Sequence, residues 1–170
     1  MTYKKNRMSR IADKTLCLPA GMRSMVLSRI FGRVVPFLAT SGLRFDEVSP
    51  QKMVVSLRNQ RKIQNHIKGV HAAAMALLAE TATGFVVGMN MPDNKLMLLK
   101  SMHVDYLKRA QGGMCAEATL SAEQIRSMHE QDKGDVTVSV RVTDESGEEP
   151  VRCEMIWAWV PQKRQQTPSQ

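Results

Sequence analysis

Apolar side chains recur at helical spacing from Met22 to Leu38: Met22, Val26, Ile30, Val34 and Leu38, with Met25, Leu27, Phe31 and Val35 beside them and Arg23, Arg29 and Arg33 between. This pattern predicts an amphipathic helix that Pro36 bends or ends. Residues 1–20 read as a polar lead-in ending at Pro19. Leu43–Val48 and Lys52–Arg58 then read as strands flanking a turn at Ser49-Pro50, with Met53, Val55 and Leu57 alternating with Val54, Ser56 and Arg58. Residues 59–70 are polar and loop-like. His71–Thr83 is rich in Ala and Leu, the best helix formers, and Gly84 follows as a C-cap. That helix is apolar nearly all round, so burial nearly all round is expected. Phe85–Met91, Leu96–Leu107 and Met114–Leu120 read as strands, with Gly112-Gly113 turning the chain between the last two. Ser121 caps a short polar helix or loop over residues 121–133. Val136, Val138, Val140 and Val142 alternate with Thr137, Ser139, Arg141 and Thr143, and a turn at Asp144–Gly147 leads into a strand over Val151–Val160. One hydrophobic helix beside a long antiparallel sheet is an α+β architecture. The chain thus divides into a basic extension carrying the amphipathic helix (1–40), a folded domain (41–160) and a disordered tail (161–170).

Charge changes this picture at one end only. The net charge is +8. Residues 1–34 carry eight Lys and Arg against a single acid, Asp13, whereas the remainder is nearly neutral. A nucleic-acid-binding domain spreads its cations over the folded surface, so nucleic acid is discounted as a partner. An anionic membrane surface or an anionic ligand near the N-terminal segment fits better. The amphipathic helix itself reads as one docked on the domain's own apolar surface, or else as a lid over an acyl tunnel or a helix lying on a membrane. No segment reaches the run of apolar residues that a membrane span needs. The three cysteines form no CxxC pair, which argues against a disulfide framework or zinc site and fits reduced thiols in a cytoplasm.

Charged side chains are rarely buried without a partner, so Glu80, interrupting the apolar helix, requires an explanation. It is either one half of a structural ion pair or a carboxylate that activates water. His71 stands at the predicted start of the same helix, where free backbone N–H groups and the helix dipole favour negative charge. A thioester under attack develops such charge on its carbonyl oxygen. The backbone N–H of Ala72 is the candidate donor, and Asn65, in the loop just before, carries an amide that suits positioning of water or substrate. His71 and Glu80 are nine residues apart, about 13.5 Å along an α-helix and on opposite faces. A single carbonyl group cannot touch both, so a site using both must combine two chains.

The run Asn65-His66-Ile67-Lys68-Gly69-Val70-His71-Ala72-Ala73, followed by Ala79-Glu80-Thr81-Ala82, resembles the Asn…His-Gly-Gly…Asp/Glu signature of hotdog-fold acyl-CoA thioesterases, of the phenylacetate-degradation type and the small human type. The resemblance implies a hotdog fold, with the antiparallel sheet wrapped around the buried helix, and a homodimer or homotetramer sharing its sites between chains. It implies Glu80 as base or nucleophile, Asn65 as orienter of water or substrate, His71 as the residue shaping the helix start, and the Ala72 N–H as polariser of the carbonyl. No metal or cofactor is implied. Two departures stand out: Ala72-Ala73 replaces the Gly-Gly pair, and the acid is Glu rather than the commoner Asp.

Lys108 and Arg109 match the basic side chains that relatives place near the pocket mouth to meet the phosphates of coenzyme A; a solvated charge pair is the alternative. His103 and Asp105 alternate along a strand and read as an exposed pair with no third ligand. No Gly-rich phosphate loop and no GxSxG occur. Three functions follow in order: an acyl-CoA thioesterase, a non-catalytic acyl-ligand binder, and a hydroxyacyl dehydratase pairing His66 with Glu80.

Overall fold

The computed structural model describes residues 3–162. Three helices lead the chain: α1 (Arg7–Lys14), α2 (Ala20–Val34) and α3 (Pro36–Ser41). The hairpin β1 (Arg44–Val48) and β2 (Lys52–Leu57) follows, then the long helix α4 (Ala72–Asn90). The remainder comprises β3 (Lys95–Tyr106), β4 (Met114–Thr119), α5 (Ala122–Glu130), β5 (Gly134–Asp144) and β6 (Val151–Pro161). The strands form one six-stranded sheet in the order β1-β2-β4-β5-β6-β3, with every neighbouring pair antiparallel. The α+β reading therefore stands.

Helix α4 packs against the sheet, chiefly across β4 and β2. Ala116 and Ala118 of β4 are fully buried, and their small side chains let the helix backbone come close to the middle of the sheet. Met53, Val55, Val138, Met155, Trp157 and Trp159 supply the sheet side of the core, and Leu78, Val86 and Val87 the helix side. The helix is long and apolar enough to cross a membrane, but 72% of its apolar window is buried inside the domain.

Three expectations need correction. Gly84 does not end the helix, and Phe85–Met91 is no strand: α4 runs unbroken to Asn90. A short buried apolar run looks the same in helix and strand, and here the enclosing sheet decides for helix. Gly84 serves packing instead. A Cβ at that position would lie 2.6 Å from the ring of Trp157, whose indole N–H donates to Thr83 Oγ1 at 3.0 Å. The polar lead-in also contains a helix. Asn6 caps α1 by accepting from the Ser9 N–H at 2.8 Å, while its Nδ2 donates to the Gly88 and Met91 carbonyls at the end of α4 (2.6 and 2.7 Å). One amide thus closes two helix ends. Finally, the first two residues assigned to the tail, Pro161 and Gln162, are tied to the sheet. Pro161 still pairs with Lys95 in the sheet and the Gln162 N–H donates to Asn94; residues 163–170 lie outside the described residues.

Elsewhere pattern and structure agree. Pro36 separates α2 from α3 by occupying the first turn of the latter. Ser121 forms a capping box with Gln124 at the start of α5, and Gly112 turns the chain at φ +67°.

Candidate active site at the start of the central helix

The sequence places a polar loop immediately before an Ala-rich helix, and the structure shows how that loop is held. Asn65 accepts at Oδ1 from the Ile67 and Gly69 N–H groups (3.1 and 3.0 Å), and its backbone N–H donates to the Gly69 carbonyl at 2.9 Å. Lys68 takes the left-handed conformation at φ +61°, and a bridge between Gln64 and Val70 closes the loop. The Asn65 carbonyl oxygen is therefore committed to loop shape, and its Nδ2 has no acceptor among the described residues.

His71 is the N-cap of α4. Its Nδ1 accepts from the Ala73 N–H at 3.1 Å, which leaves the neutral ring's proton on Nε2. The Ala74 and Met75 N–H groups both donate to the His71 carbonyl (2.9 and 3.1 Å). Among the described residues, the Ala72 N–H alone of the first turn's donors is left without an acceptor. It is exposed at the positive end of a 19-residue helix, where a developing oxyanion is favoured. Tyr106, at the end of β3, donates its hydroxyl to the Ala72 carbonyl at 2.9 Å and ties this turn to the sheet edge. Sequence reasoning missed Tyr106, since only the fold brings β3 to the helix start.

Glu80 lies about two and a half turns further on. The residues of α4 left open are Ala72, Ala73, Ala76, Leu77 and Glu80, and the spacing of Ala73, Ala76, Leu77 and Glu80 puts them on one face. The rest of the helix is buried. Glu80 forms no ion pair among the described residues; its carboxylate accepts one side-chain hydrogen bond there, from the Thr81 hydroxyl at 3.5 Å. Burial pushes its carboxyl above the usual range, and the Thr81 contact only partly offsets this. The ion-pair explanation of Glu80 is therefore not what the fold provides.

The structure brings Asn65, His71, Ala72 and Arg109 to one end of α4, and leaves Glu80 apart along the helix. Arg109 donates to the Ile67 carbonyl at 3.2 Å and, with Lys68 and Gly69, lines a cleft of about 470 Å³ beside the loop. Lys108 is exposed and paired with Glu148. His103 and Asp105 form an exposed pair at 3.2 Å, and no cluster of three metal-ligating side chains occurs among the described residues.

A single long helix packed against a six-stranded antiparallel sheet is the hotdog fold. The chain belongs to the family of the domain of unknown function DUF4442, whose model matches residues 23–160. Solved structures of similar fold include a Pseudomonas aeruginosa protein of unknown function, a probable thioesterase, at 23% identity and TM-score 0.72, covering 85% of this chain and 97% of that one. A Haemophilus influenzae thioesterase aligns at 10% identity and TM-score 0.63, covering 82% and 94%. A thioesterase family protein from Silicibacter pomeroyi aligns at 17% identity and TM-score 0.62, covering 79% and 96%. No curated protein sequence matches the chain.

Proposed function

We propose that the protein is an acyl-CoA thioesterase whose active site is completed by a second copy of the chain. The observation that carries this reading is Glu80: a partly buried carboxylate with no cation partner among the described residues, on the open face of a mostly apolar helix. Its raised pKa suits a general base. The spacing along α4 means that the Ala72 N–H and Glu80 serving one thioester come from different copies. The geometry has room for such an assembly. β3 is an edge strand, and Met102 and Tyr106 are exposed along it on the sheet face that α4 packs against, Tyr106 reaching the open helix start at Ala72. A second copy docking edge to edge would cover both surfaces, in the two-fold manner usual for homodimers.

In this mechanism water oriented by the partner copy's Asn65 amide gives its proton to Glu80 as its oxygen attacks the thioester carbon. The carbonyl oxygen gathers negative charge against the partner copy's helix start, at the Ala72 N–H. Collapse of the tetrahedral intermediate breaks the C–S bond, and the thiolate leaves with the proton returned by Glu80. In the variant mechanism Glu80 attacks the carbon itself and the C–S bond breaks, the thiolate leaving and taking a proton from solvent; water then opens the resulting anhydride, releasing the acid and restoring the Glu80 carboxylate. Arg109, with Lys68 in the adjoining cleft and Lys108 nearby, would meet the phosphates of coenzyme A. The three unpaired thiols suit a reducing cytoplasm.

The similar structures support a thioesterase at the level of fold. One observation favours an acyl-ligand binder as the second reading: Ala72 and Ala73 are exposed with their methyl groups at the helix start, where the resembling signature has glycines. Thiol release from short, long and aromatic acyl-CoA esters separates the two. Turnover that falls at least about a hundredfold in Glu80→Gln supports the thioesterase. Equal turnover in both proteins removes Glu80 from the chemistry, and acyl-CoA binding without turnover supports the binder.

A further inference from the structure

The N-terminal helices present a surface that neither the core nor the candidate active site uses. Helix α2 is anchored on its inner side. Leu27 and Phe31 are buried, the Phe31 ring packs against Phe45 and Phe85 at centroid distances of 4.8 and 4.7 Å, and Ser28 Oγ accepts from the Phe45 N–H at 3.0 Å. The outer side is therefore a fixed platform. Met22, Met25, Arg29 and Arg33 share one outward stripe, at spacings of three, four and four residues. At the corner between α2 and α3 stand Val34 and Phe37, 68% and 60% exposed. Leu16, ahead of α2, is 57% exposed.

The charge carried by α2 and α3 is of one sign, and the exposed Asp46 of β1 meets α2 only on its inner side, at Ser24 Oγ (3.3 Å). No acid occurs between Asp13 and Asp46, and Asp13 is already paired with Lys5 at 2.6 Å. A lid over an acyl tunnel would turn its apolar side chains inward, whereas these face outward. A protein interface depletes charge from its apolar centre, whereas here arginines are interleaved with the apolar side chains. That interleaving suits a bilayer boundary, where apolar side chains enter the acyl region while arginines reach up to headgroup phosphates.

We propose that the outer face of α2 and the α2–α3 corner dock on an anionic lipid bilayer. This does not depend on the catalytic reading. The test is co-sedimentation of the full chain with phosphatidylcholine vesicles, with and without phosphatidylglycerol, at low and high salt. Binding is expected only to the phosphatidylglycerol vesicles, and it should weaken as salt screens the charges. Arg29→Gln with Arg33→Gln should weaken it more than about tenfold, since each cation near an anionic surface is worth about fivefold. Val34→Ser with Phe37→Ser should weaken it at both salt concentrations. All four side chains are exposed, so an unchanged melting temperature verifies the fold of each variant. The proposal is overturned by absence of binding to anionic vesicles at low salt, by equal binding to neutral vesicles, or by binding that survives both double variants. It is also overturned if vesicle binding is absent and Val34→Ser with Phe37→Ser instead splits an oligomer in solution, which would make this face a contact between copies.

Discussion

The Ala72 N–H can be removed without touching any side chain that the proposal uses, by the substitution Ala72→Pro. Residue 72 is the first helical position of α4, where proline is favoured because its missing N–H has no helical partner anyway. His71 precedes it at φ −66°, ψ 142°, a conformation that a following proline accepts. The Ala72 N–H donates to no acceptor among the described residues, and the side chain is exposed, so the ring displaces nothing. Fold stability should therefore hold or rise by up to about 1 kcal/mol, because proline restricts the unfolded chain. At this chain length that is an increase in melting temperature of about 2–4 °C or less. Loss of one oxyanion donor should lower kcat by about 10²- to 10³-fold. The assay is thiol release from the best acyl-CoA ester, with Ala72→Gly as the control that keeps the N–H. A folded Ala72→Pro protein with wild-type kcat would show that this donor takes no part in the reaction, and the site as built here would be wrong.

Three further outcomes are expected. Glycine-to-alanine changes should differ in sign with packing. Gly21→Ala, with nothing within 4 Å of the added Cβ, should stabilise by up to about 1 kcal/mol. Gly84→Ala should destabilise by about 1–3 kcal/mol, as its methyl group meets the hydrogen-bonded Trp157 ring at 2.6 Å. Urea unfolding at fixed protein concentration checks both, and a stabilised Gly84→Ala would refute the packing argument. Glu80→Gln should change the pH dependence of stability: because burial raises the Glu80 pKa in the folded state, the wild type holds its full contribution below the ordinary carboxylate pKa and loses it as pH rises through the raised value. The melting temperature of Glu80→Gln should accordingly gain on wild type as pH rises above about 4; parallel curves would contradict this. Burial and the neighbouring Asp105 push the Cys153 thiol up to about 11, and burial also raises Cys115, so a thiol reagent at mild alkaline pH should label exposed Cys17 rapidly and the other two only on unfolding.

The strands were legible because their side chains alternate. The valines of β5 face the core or its margin at every second position, and the turn glycines and prolines stand where the chain reverses. The end of α4 was not legible: Phe85, Val86 and Val87 favour strands locally, and only enclosure by the sheet makes them helical. The capping role of Asn6 was hidden for a related reason, since its acceptors lie more than 80 residues away. For the candidate site, the loop, the cap and the lone acid could be read from residue type and spacing. Tyr106 could not, because its link to Ala72 is made by the register of β3. That Glu80 meets no ion-pair partner among the described residues also needed the fold, since the sequence does not say which of the chain's many cations reach it.

The distance along α4 between Ala72 and Glu80 has a consequence for inheritance as well as for chemistry. If each site draws one half from either copy, a chain defective at Ala72 and a chain defective at Glu80 are complementary alleles, each inert alone. Refolded together in equal amounts, half the dimers pair one of each. Every such pair holds one intact site and one doubly broken site, so about a quarter of the original activity returns. A cell carrying both defective genes would then keep the function that neither gene supports by itself.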